Sequence, residues 1–300
     1  MLCPDGIIII NKTEGPTSHT VTSRVKRLFG ASKAGHTGTL DPMATGVLPV
    51  LLERGVKASE YMISSDKHYI AVLKLGVKTD TEDLTGSVLS SSSDIPSEER
   101  VLEVVDGFCG KIMQIPPMYS ALKQGGKKLC DIARAGGTVE REPREITVYS
   151  IKAKKLEDDE YSLEVRCSGG TYIRTLCKDI GERLGCGGAM KALSRASASG
   201  FTLDDAYTLE ELEAMSEEQR YAAVVPIERL FNGLEAVKLQ PFFSRLAHSG
   251  LEIYLKKIGL QLDIGQRVRL LDESGFFALG EVREYEDGLA IKPIKQFKIL

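Results

Sequence analysis

The sequence predicts a mixed α+β protein that ends in a small β-rich unit. Segments rich in apolar and β-branched residues, typical of strands, are interspersed with segments whose apolar residues recur at helical spacing. Two strand-like segments, Ile146–Lys155 and Tyr161–Ser168, flank the acidic turn Glu157–Glu160, which favours their pairing. The composition changes near Phe231–Ala236, and the tail that follows carries short strand signals punctuated by glycine. At 300 residues and 42% hydrophobic content, the chain is long enough for a large core and a second, smaller one.

The first elements of the chain are predicted from their residue patterns. The apolar run Gly6–Asn11 predicts a short buried strand, and a turn follows at Lys12–Pro16. Thr17 or Ser18 is suited to cap a helix that Gly30 ends. The apolar face of this helix is formed by Val21, Val25, Leu28 and Phe29.

The remaining elements follow from the same rules. Further strands are predicted at Val47–Leu52, Lys67–Leu75, Gln266–Leu271, Phe276–Val282 and Leu289–Pro293. Further helices are predicted around Glu98–Phe108, Lys128–Ala135 and Tyr172–Leu184, and along the acidic stretch Thr208–Val224. Loops are predicted at Ala34–Gly46, Gly76–Gly86 and Ser90–Ser97. We therefore expect a first domain at residues 1–233 and a small β-rich domain at residues 234–300.

The charge of the chain is unevenly distributed. The formal net charge is −3, which by itself argues against a nucleic-acid-binding protein. However, acidic residues concentrate at Glu157–Glu160 and Asp204–Glu218, whereas basic residues concentrate at Arg24–Lys33 and Lys123–Arg144. Binding to a polyanion requires a local basic face rather than a basic total, so the composition permits an RNA-binding function.

Two further classes of protein are disfavoured by composition. The longest aliphatic run, Ile7–Ile10, is far too short to span a membrane and lacks the flanks of a signal peptide, so we expect a cytoplasmic protein. The six cysteines form no C-x-x-C pair and no Cys–His grouping with the spacing of a zinc site. The sequence therefore predicts no metal site and no disulfide framework.

The segment Gly35–Gly46, with the sequence GHTGTLDPMATG, is the most informative part of the chain for function. Its glycines and its proline fix an unusual backbone path that presents His36 and Asp41 from a loop beside a strand. On residue types alone, it is either a catalytic loop or a tight structural turn in which Asp41 caps backbone groups. A glycine-rich phosphate cradle is disfavoured, because no Lys-Ser or Lys-Thr pair follows the glycines.

This segment closely resembles the signature loop of the TruB family of pseudouridine synthases, in which the aspartate is essential; we call it the signature loop. Four other segments resemble motifs of the family, in the family's order, between about Gly6 and Phe201. They are Asn11-Lys12 followed by Gly15, Asp66-Lys67-His68-Tyr69, Gln114–Lys123 (QIPPMYSALK) and Ser168–Leu176 (SGGTYIRTL). In addition, Gly265–Gly280 (GQRVRLLDESGFFALG) resembles the core of a small PUA-type RNA-binding domain.

The resemblance implies a fold, a reaction and a substrate. The fold would be a largely antiparallel pseudouridine synthase sheet with flanking helices, followed by the PUA-like domain. The reaction would be the isomerisation of uridine 55 in the T loop of tRNA to pseudouridine. No metal, organic cofactor or guide RNA is implied, and we expect a monomer whose RNA partner is the T stem-loop of tRNA.

The resemblance also assigns roles to residues. Asp41 would start cleavage of the glycosidic bond, Arg174 would pair with Asp41, and Tyr69 would stack on the flipped uracil. Residue patterns alone favour a core-facing strand tyrosine at Tyr69 and a surface helix arginine at Arg174. His36 would enter the T loop, and the remaining residues that shape the pocket or bind the substrate would be Lys12, Tyr172 and Leu193.

The basic segment of residues 111–145 resembles the arm that lies over the T stem-loop in this family; we call it the arm. Phosphate contacts are expected from Lys123, Lys127, Lys128, Arg134, Arg141 and Arg144. If about four of them bind phosphates, affinity should fall with salt at a log–log slope of roughly −3. A solvated lysine-rich surface is the alternative interpretation.

Other features leave alternatives open. The chain has Leu193-Ser194-Arg195 where the family usually has Leu-Arg-Arg, so one basic RNA contact is expected to be missing. The acidic residues Asp80, Glu82 and Asp83 favour an Asx-rich turn over a loose cation site. A non-catalytic RNA-binding protein on the same scaffold and a guide-dependent synthase remain as alternative functions. A nucleotide-dependent enzyme is disfavoured, because the sequence contains no phosphate-binding motif.

Overall fold

The computed structural model describes residues 3–63 and 65–298. Up to residue 233, its strands are β1 (Gly6–Lys12), β2 (Ala34–His36), β3 (Thr45–Leu52), β4 (Lys67–Leu75), β5 (Val77–Thr79), β6 (Val88–Ser91), β7 (Gly110–Gln114), β8 (Lys123–Gln124), β9 (Lys127–Lys128), β10 (Arg144–Glu157), β11 (Glu160–Cys167), β12 (Gly188–Ala198) and β13 (Phe201–Thr202). The α-helices of this part are α1 (Ser18–Leu28), α2 (Ser59–Ile63), α3 (Glu98–Asp106), α4 (Leu129–Arg134), α5 (Ile173–Leu184), α6 (Leu209–Ala214) and α7 (Glu217–Ala222). Short 3₁₀ helices lie at Glu53–Ala58, Leu203–Asp205 and Ile227–Phe231.

A nine-stranded sheet dominates this part of the described chain. Its strand order is β1-β3-β12-β4-β11-β10-β7, with β2 attached to β3 and β13 attached to β12. Strands β3 and β12 run parallel, and the other pairs of neighbours in this sheet are antiparallel. The prediction of a largely antiparallel sheet with flanking helices is therefore confirmed.

The burial of the strands explains their sequences. Ile7–Ile10 of β1 are all 0% exposed, because both faces of this strand are covered. Strand β4 instead alternates buried and more exposed positions, so that Tyr69, Ala71 and Leu73 face the core. Helices α3 and α5 pack against this sheet and close the main core.

The C-terminal part of the chain has its own sheet and core. Its elements are β14 (Glu235–Lys238), α8 (Pro241–His248), β15 (Ile253–Tyr254), α9 (Leu255–Ile258), β16 (Arg267–Asp272), β17 (Gly275–Tyr285) and β18 (Gly288–Gln296). The five strands are ordered β14-β16-β17-β18-β15. An aromatic cluster that includes Phe231, Phe276 and Phe297 joins this part to the preceding chain, together with a Lys295–Glu60 ion pair at 2.5 Å. The prediction of a β-rich C-terminal part is confirmed.

Several predicted elements need correction. Strand β12 was not predicted, because Gly188–Ala198 is rich in alanine and serine, yet it lies in the middle of the main sheet. The acidic stretch predicted as one helix forms two, α6 and α7, each started by its own capping box at Thr208 and Ser216. The predicted loops contain the short strands β2, β5 and part of β6, and helix α8 lies in the part predicted as strands.

The helices of the described chain are short compared with the thickness of a bilayer. Within residues 3–63 and 65–298, none of them is long and apolar enough to cross a membrane.

Candidate active site

The centre of the site is an ion pair between Asp41 and Arg174. Arg174 lies in the first turn of α5, and its side chain is 6% exposed. Its Nε lies 2.9 Å from Asp41 Oδ2, and its Nη2 donates to Asp41 Oδ1 at 3.3 Å. This two-point contact fixes the orientation of the carboxylate as well as its position. The predicted pairing of these residues, which are 133 positions apart, is present in the structure.

The Arg174 guanidinium also joins two other segments to the site. Its Nη2 donates to the Tyr119 carbonyl at 2.7 Å, and its Nη1 donates to the Thr81 carbonyl at 3.1 Å. Asp83 Oδ2 lies 3.9 Å from Nη1, so a second carboxylate balances the guanidinium. Asp83 was predicted only as part of an Asx-rich turn. Its Oδ1 does accept from the Thr85 backbone N–H at 2.9 Å, but no residue pattern predicted the contact with Arg174.

Side-chain hydrogen bonds from Lys12 and Ser18 hold the backbone around Asp41. Lys12, which is 1% exposed, donates from Nζ to the carbonyls of Thr13, Pro42 and Ala44 at 3.0, 3.0 and 2.6 Å. The Ser18 hydroxyl donates to the Leu40 carbonyl and accepts from the Leu40 N–H, both at 2.9 Å. Because the Lys12 ammonium is taken up by backbone carbonyls, it shapes the loop rather than presenting a charge to a ligand.

Two opposing effects set the pKa of Asp41. Burial raises this pKa above its ordinary value, and the Asp83 carboxylate adds to the increase. The charges of Arg174 and Lys12 act in the opposite direction, but the balance stays above the ordinary value. The site therefore holds a desolvated carboxylate whose ionised form depends on Arg174.

Tyr69 reaches the site from the core face of β4. It is 7% exposed, and burial raises the pKa of its phenol. The charge of Asp41 also raises this pKa, whereas the Arg195 guanidinium lowers it. In register, Tyr69 stands between Arg195 of β12 and Val165 of β11.

The other predicted pocket residues are held by specific neighbours. His36 lies in β2, where its Nδ1 is 2.9 Å from Thr22 Oγ1 and its Nε2 is 3.2 Å from Thr39 Oγ1. Burial lowers the pKa of this imidazole, so the ring is neutral at pH 7. Leu193 is 8% exposed and lies opposite Ala71 in the sheet.

Tyr172 is fixed by a residue that the sequence did not single out individually. Gln114 is 1% exposed; its Oε1 accepts from the Tyr172 N–H at 2.8 Å, and its Nε2 donates to the Tyr172 carbonyl at 3.0 Å. This double contact fixes the backbone at the start of α5, two residues before Arg174. Gln114 belongs to the motif QIPPMYSALK, but nothing in its type or spacing indicated this partner.

The arm presents most of its predicted basic residues to solvent. Strands β8 and β9 form a hairpin around Gly125 and Gly126, whose φ angles of 58° and 83° suit a tight turn. The exposed basic residues are Lys123, Lys127, Lys128, Arg134 and Arg144. Arg141 differs, because it is half-buried and donates to the Pro116 carbonyl at 3.0 Å. Its guanidinium therefore holds the arm to the QIPPMYSALK segment.

The acidic, histidine and cysteine side chains near the site form no metal centre among the described residues. In residues 3–63 and 65–298, no group of three or more His, Cys, Asp or Glu side chains is arranged to hold a metal ion. The acidic residues near Asp83 are instead bound to protein groups. For example, Glu82 accepts from Thr175 at 2.5 Å and from Lys178 at 3.2 Å.

Solved structures with the same fold define the class of protein. A chain in the crystal structure of a Cbf5-Nop10-Gar1 complex matches with a TM-score of 0.71 and 26% identity, covering 100% of this chain and 87% of that chain. A chain in the structure of an H/ACA RNP bound to a substrate RNA containing 2'-deoxyuridine matches with a TM-score of 0.70 and 23% identity, covering 98% and 85%. The fold is thus that of the pseudouridine synthases.

Sequence comparisons identify the family. The model of the TruB family pseudouridylate synthase N-terminal domain matches residues 26–173, and the model of the tRNA pseudouridylate synthase B C-terminal domain matches residues 174–236. Proteins described as tRNA pseudouridine synthase B from Francisella philomiragia subsp. philomiragia and Francisella tularensis subsp. novicida are each 42% identical over 282 residues, which is 92% of this chain and 91% of each relative. The chain belongs to the TruB family of pseudouridylate synthases, as its motifs predicted.

Proposed function

We propose that this chain is a stand-alone tRNA pseudouridine synthase that isomerises uridine 55 in the T loop of tRNA. The observation that carries the proposal is the paired Asp41 carboxylate beside Arg174 and the buried ring of Tyr69. The description of the relatives as tRNA pseudouridine synthase B supports tRNA as the substrate. The alternative of a non-catalytic RNA-binding protein gives no reason for a carboxylate to be desolvated and oriented in this way.

Asp41 initiates the reaction in this proposal. The C1′–N1 bond of the uridine is cleaved, the uracil turns, and carbon five forms the new bond to C1′. Carbon five then loses its hydrogen as a proton to solvent, and N1 gains a proton, so the product is an isomer of the substrate. A carboxylate held by a guanidinium is suited to attack as a nucleophile or to remove a proton from the sugar. Arg174 keeps Asp41 ionised and correctly aimed, because it opposes the increase in pKa that burial causes.

The target base must leave its stack before it reaches Asp41. Flipping a base out of a folded loop costs a few kcal/mol, and stacking on an aromatic ring returns about 1–3 kcal/mol. We assign the stacking role to Tyr69 and the support of the pocket to Lys12, Tyr172 and Leu193. The neutral ring of His36, held between Thr22 and Thr39, takes the space in the T loop that the flipped nucleotide leaves.

The arm and the C-terminal part supply the remaining contacts with RNA. We assign phosphate binding to the exposed arm residues, and we place the boundary between a catalytic domain and a PUA-like RNA-binding domain at residues 233 and 234. Arg141 contributes less to phosphate binding than the other arm residues, because its guanidinium is bound to a carbonyl. The protein acts as a monomer without a guide RNA in this proposal.

Mapping of pseudouridine in tRNA incubated with the purified protein tests the substrate. We expect one new pseudouridine, at position 55, and none in a tRNA whose uridine 55 is replaced by cytidine. Modification that appears only after a guide RNA is added would refute the stand-alone function. Modification at another position would refute the assigned site but not the reaction.

Replacing Asp41 by asparagine tests the catalytic assignment. We expect Asp41→Asn to abolish tritium release from tRNA labelled at carbon five of uridine, while tRNA binding is retained. Asp159→Asn is a matched control, because the side chains of Asp159 and Asp41 are almost equally exposed, at 34% and 33%. Asp159 lies outside the site, and its Oδ2 is paired with Lys74 Nζ at 2.8 Å. Equal turnover by Asp41→Asn and Asp159→Asn would show that Asp41 is not catalytic.

A further inference from the structure

Arg195 is a buried cation for which the proposed reaction has no role so far. Its side chain is 0% exposed, and it is among the largest fully buried side chains of the described chain. Its Nε donates to the Val47 carbonyl at 2.7 Å. Its Nη1 and Nη2 are buried and have no hydrogen-bond partner among the described residues. Unpaired donors of a buried charge destabilise a fold, so their presence here requires an explanation.

Both ends of the segment that carries Asp41 rest on Arg195. A Cβ atom added to Gly38 would lie 2.9 Å from Arg195 Nη1, and one added to Gly46 would lie 2.3 Å from the Arg195 carbonyl oxygen. Both glycines have positive φ, at 70° and 101°. The signature loop therefore leaves β2, passes over the Arg195 guanidinium at Gly38, carries Asp41, and meets the Arg195 backbone at Gly46.

Arg195 also lies beside Tyr69. The two residues are partners in the register of β12 and β4, so their side chains project from the same face of the sheet. The Arg195 charge opposes the increase in the pKa of the Tyr69 phenol that burial causes. The Arg195 charge also affects two other side chains, one cationic and one neutral. Burial lowers the pKa of Lys67 to about 8 and lowers the pKa of His36, and the Arg195 charge adds to both decreases.

Lys67 cannot replace Arg195 in this place. Its ammonium donates to the carbonyls of Ile63 and Ser65 at 3.0 and 2.6 Å, so two of its three donors are already bound to backbone. Arg195 is instead anchored at Nε, and its two free nitrogens remain for the Tyr69 hydroxyl and the loop. The guanidinium is shielded from solvent, so Arg195, the arginine that this chain keeps of the family's usual Leu-Arg-Arg, makes no surface phosphate contact.

We propose that Arg195 is a positioning residue for pseudouridylation, which supports the signature loop at Gly38 and orients the Tyr69 phenol without contacting RNA. This inference rests on the proposed function, because it assigns Arg195 to the same reaction. Arg195 acts through two groups that touch the nucleotide, Asp41 and Tyr69.

The test combines single and double variants in turnover of tRNA. We expect Arg195→Met, which keeps the length but removes the charge, to lower kcat at least tenfold with KM within twofold of wild type. Arg195→Lys restores a charge and should recover at least half of this loss on a logarithmic scale. In a Tyr69→Phe background, the loss of kcat caused by Arg195→Met should be at least threefold smaller than in the wild-type background, because the phenol oxygen is already gone and only the support of the signature loop remains to be lost.

The control is Arg220→Met, since Arg220 is a half-buried arginine of α7 that donates to the Met215 carbonyl at 2.7 Å, far from Asp41 in the fold. The inference would be overturned if the fold losses of kcat in Arg195→Met and Tyr69→Phe multiply in the double variant. It would also be overturned if Arg195→Met raises KM and leaves kcat unchanged, or if Arg220→Met lowers kcat as much as Arg195→Met does. If Arg195→Met does not fold, the same cycle with Arg195→Lys and Tyr69→Phe decides the question by the same criterion. Absence of turnover in the wild-type protein would refute the proposed function, whereas turnover with multiplying losses refutes only the role of Arg195.

Discussion

Replacing Arg174 by lysine keeps one positive charge near Asp41 but removes most of the hydrogen bonds that organise the site. The guanidinium reaches both oxygens of Asp41 and the carbonyls of Thr81 and Tyr119. An ammonium group is a point charge on a flexible chain and cannot replace this planar set of donors. We therefore expect at least two of the acceptors to lose their partner in Arg174→Lys.

The size of the effect follows from the burial of the site. A hydrogen bond from a charged donor contributes about 1.5–3 kcal/mol, and two lost carbonyl contacts give about 3 kcal/mol of stability. Arg174 is 6% exposed, so water cannot replace the hydrogen bonds that are lost around the guanidinium. Asp41 is 33% exposed, so water can partly replace the hydrogen bonds that its carboxylate loses. A displacement of the carboxylate by about 1 Å lowers the rate about 100-fold.

Urea unfolding and single-turnover tritium release measure the two effects separately. The matched control is Arg183→Lys, because Arg183 is an exposed arginine of the same helix that stacks on Phe108 and does not contact Asp41. We expect the control to change the rate less than twofold. A rate for Arg174→Lys within threefold of wild type would show that positive charge alone, rather than the geometry of the guanidinium, is what the site requires.

Three further predictions concern the signature loop, pH and the arm. Gly46→Ala should destabilise the fold by several kcal/mol in thermal unfolding, because the added Cβ would lie 2.3 Å from the Arg195 carbonyl oxygen. The control Gly15→Ala has a similar φ of 108° and no atom within 4 Å of the added Cβ, so it should destabilise the fold by only about 1–2 kcal/mol. Because burial raises the pKa of Asp41, activity that requires the ionised carboxylate should be lost as the pH falls, at a higher pH than for an exposed aspartate. In Arg174→Gln, this loss of activity at acid pH should begin at a still higher pH. A shift of the loss to lower pH would contradict the assignment. Each arm lysine changed to alanine should reduce the salt slope of tRNA binding by about 0.7–0.9 without changing kcat, and an unchanged slope would favour a merely solvated surface. The residues for this last measurement are Lys123, Lys127 and Lys128.

Local patterns in the sequence were sufficient for the elements that carry the proposed catalytic residues. The β-branched and aromatic residues of Lys67–Leu75 predicted β4 with the bounds that the structure shows, and helical spacing after Tyr172 predicted α5. The signature loop was recognised by its resemblance to the TruB family, since its residue types alone were also compatible with a tight structural turn. These features depend on neighbours in the chain, which is why one sequence suffices to find them.

Tertiary structure alone decided how these elements meet. Strand β12 has little local β propensity, and it is held in the sheet by pairing with β3 along one edge and with β4 along the other. The contact of Asp83 with Arg174 and the double contact of Gln114 with Tyr172 join residues far apart in the chain. The burial of Arg195 could not be predicted from the motif Leu193-Ser194-Arg195, because an arginine's environment depends on the strands that pack around it. Sequence therefore determined which residue types are present for the chemistry, and long-range packing determined which of them face one another.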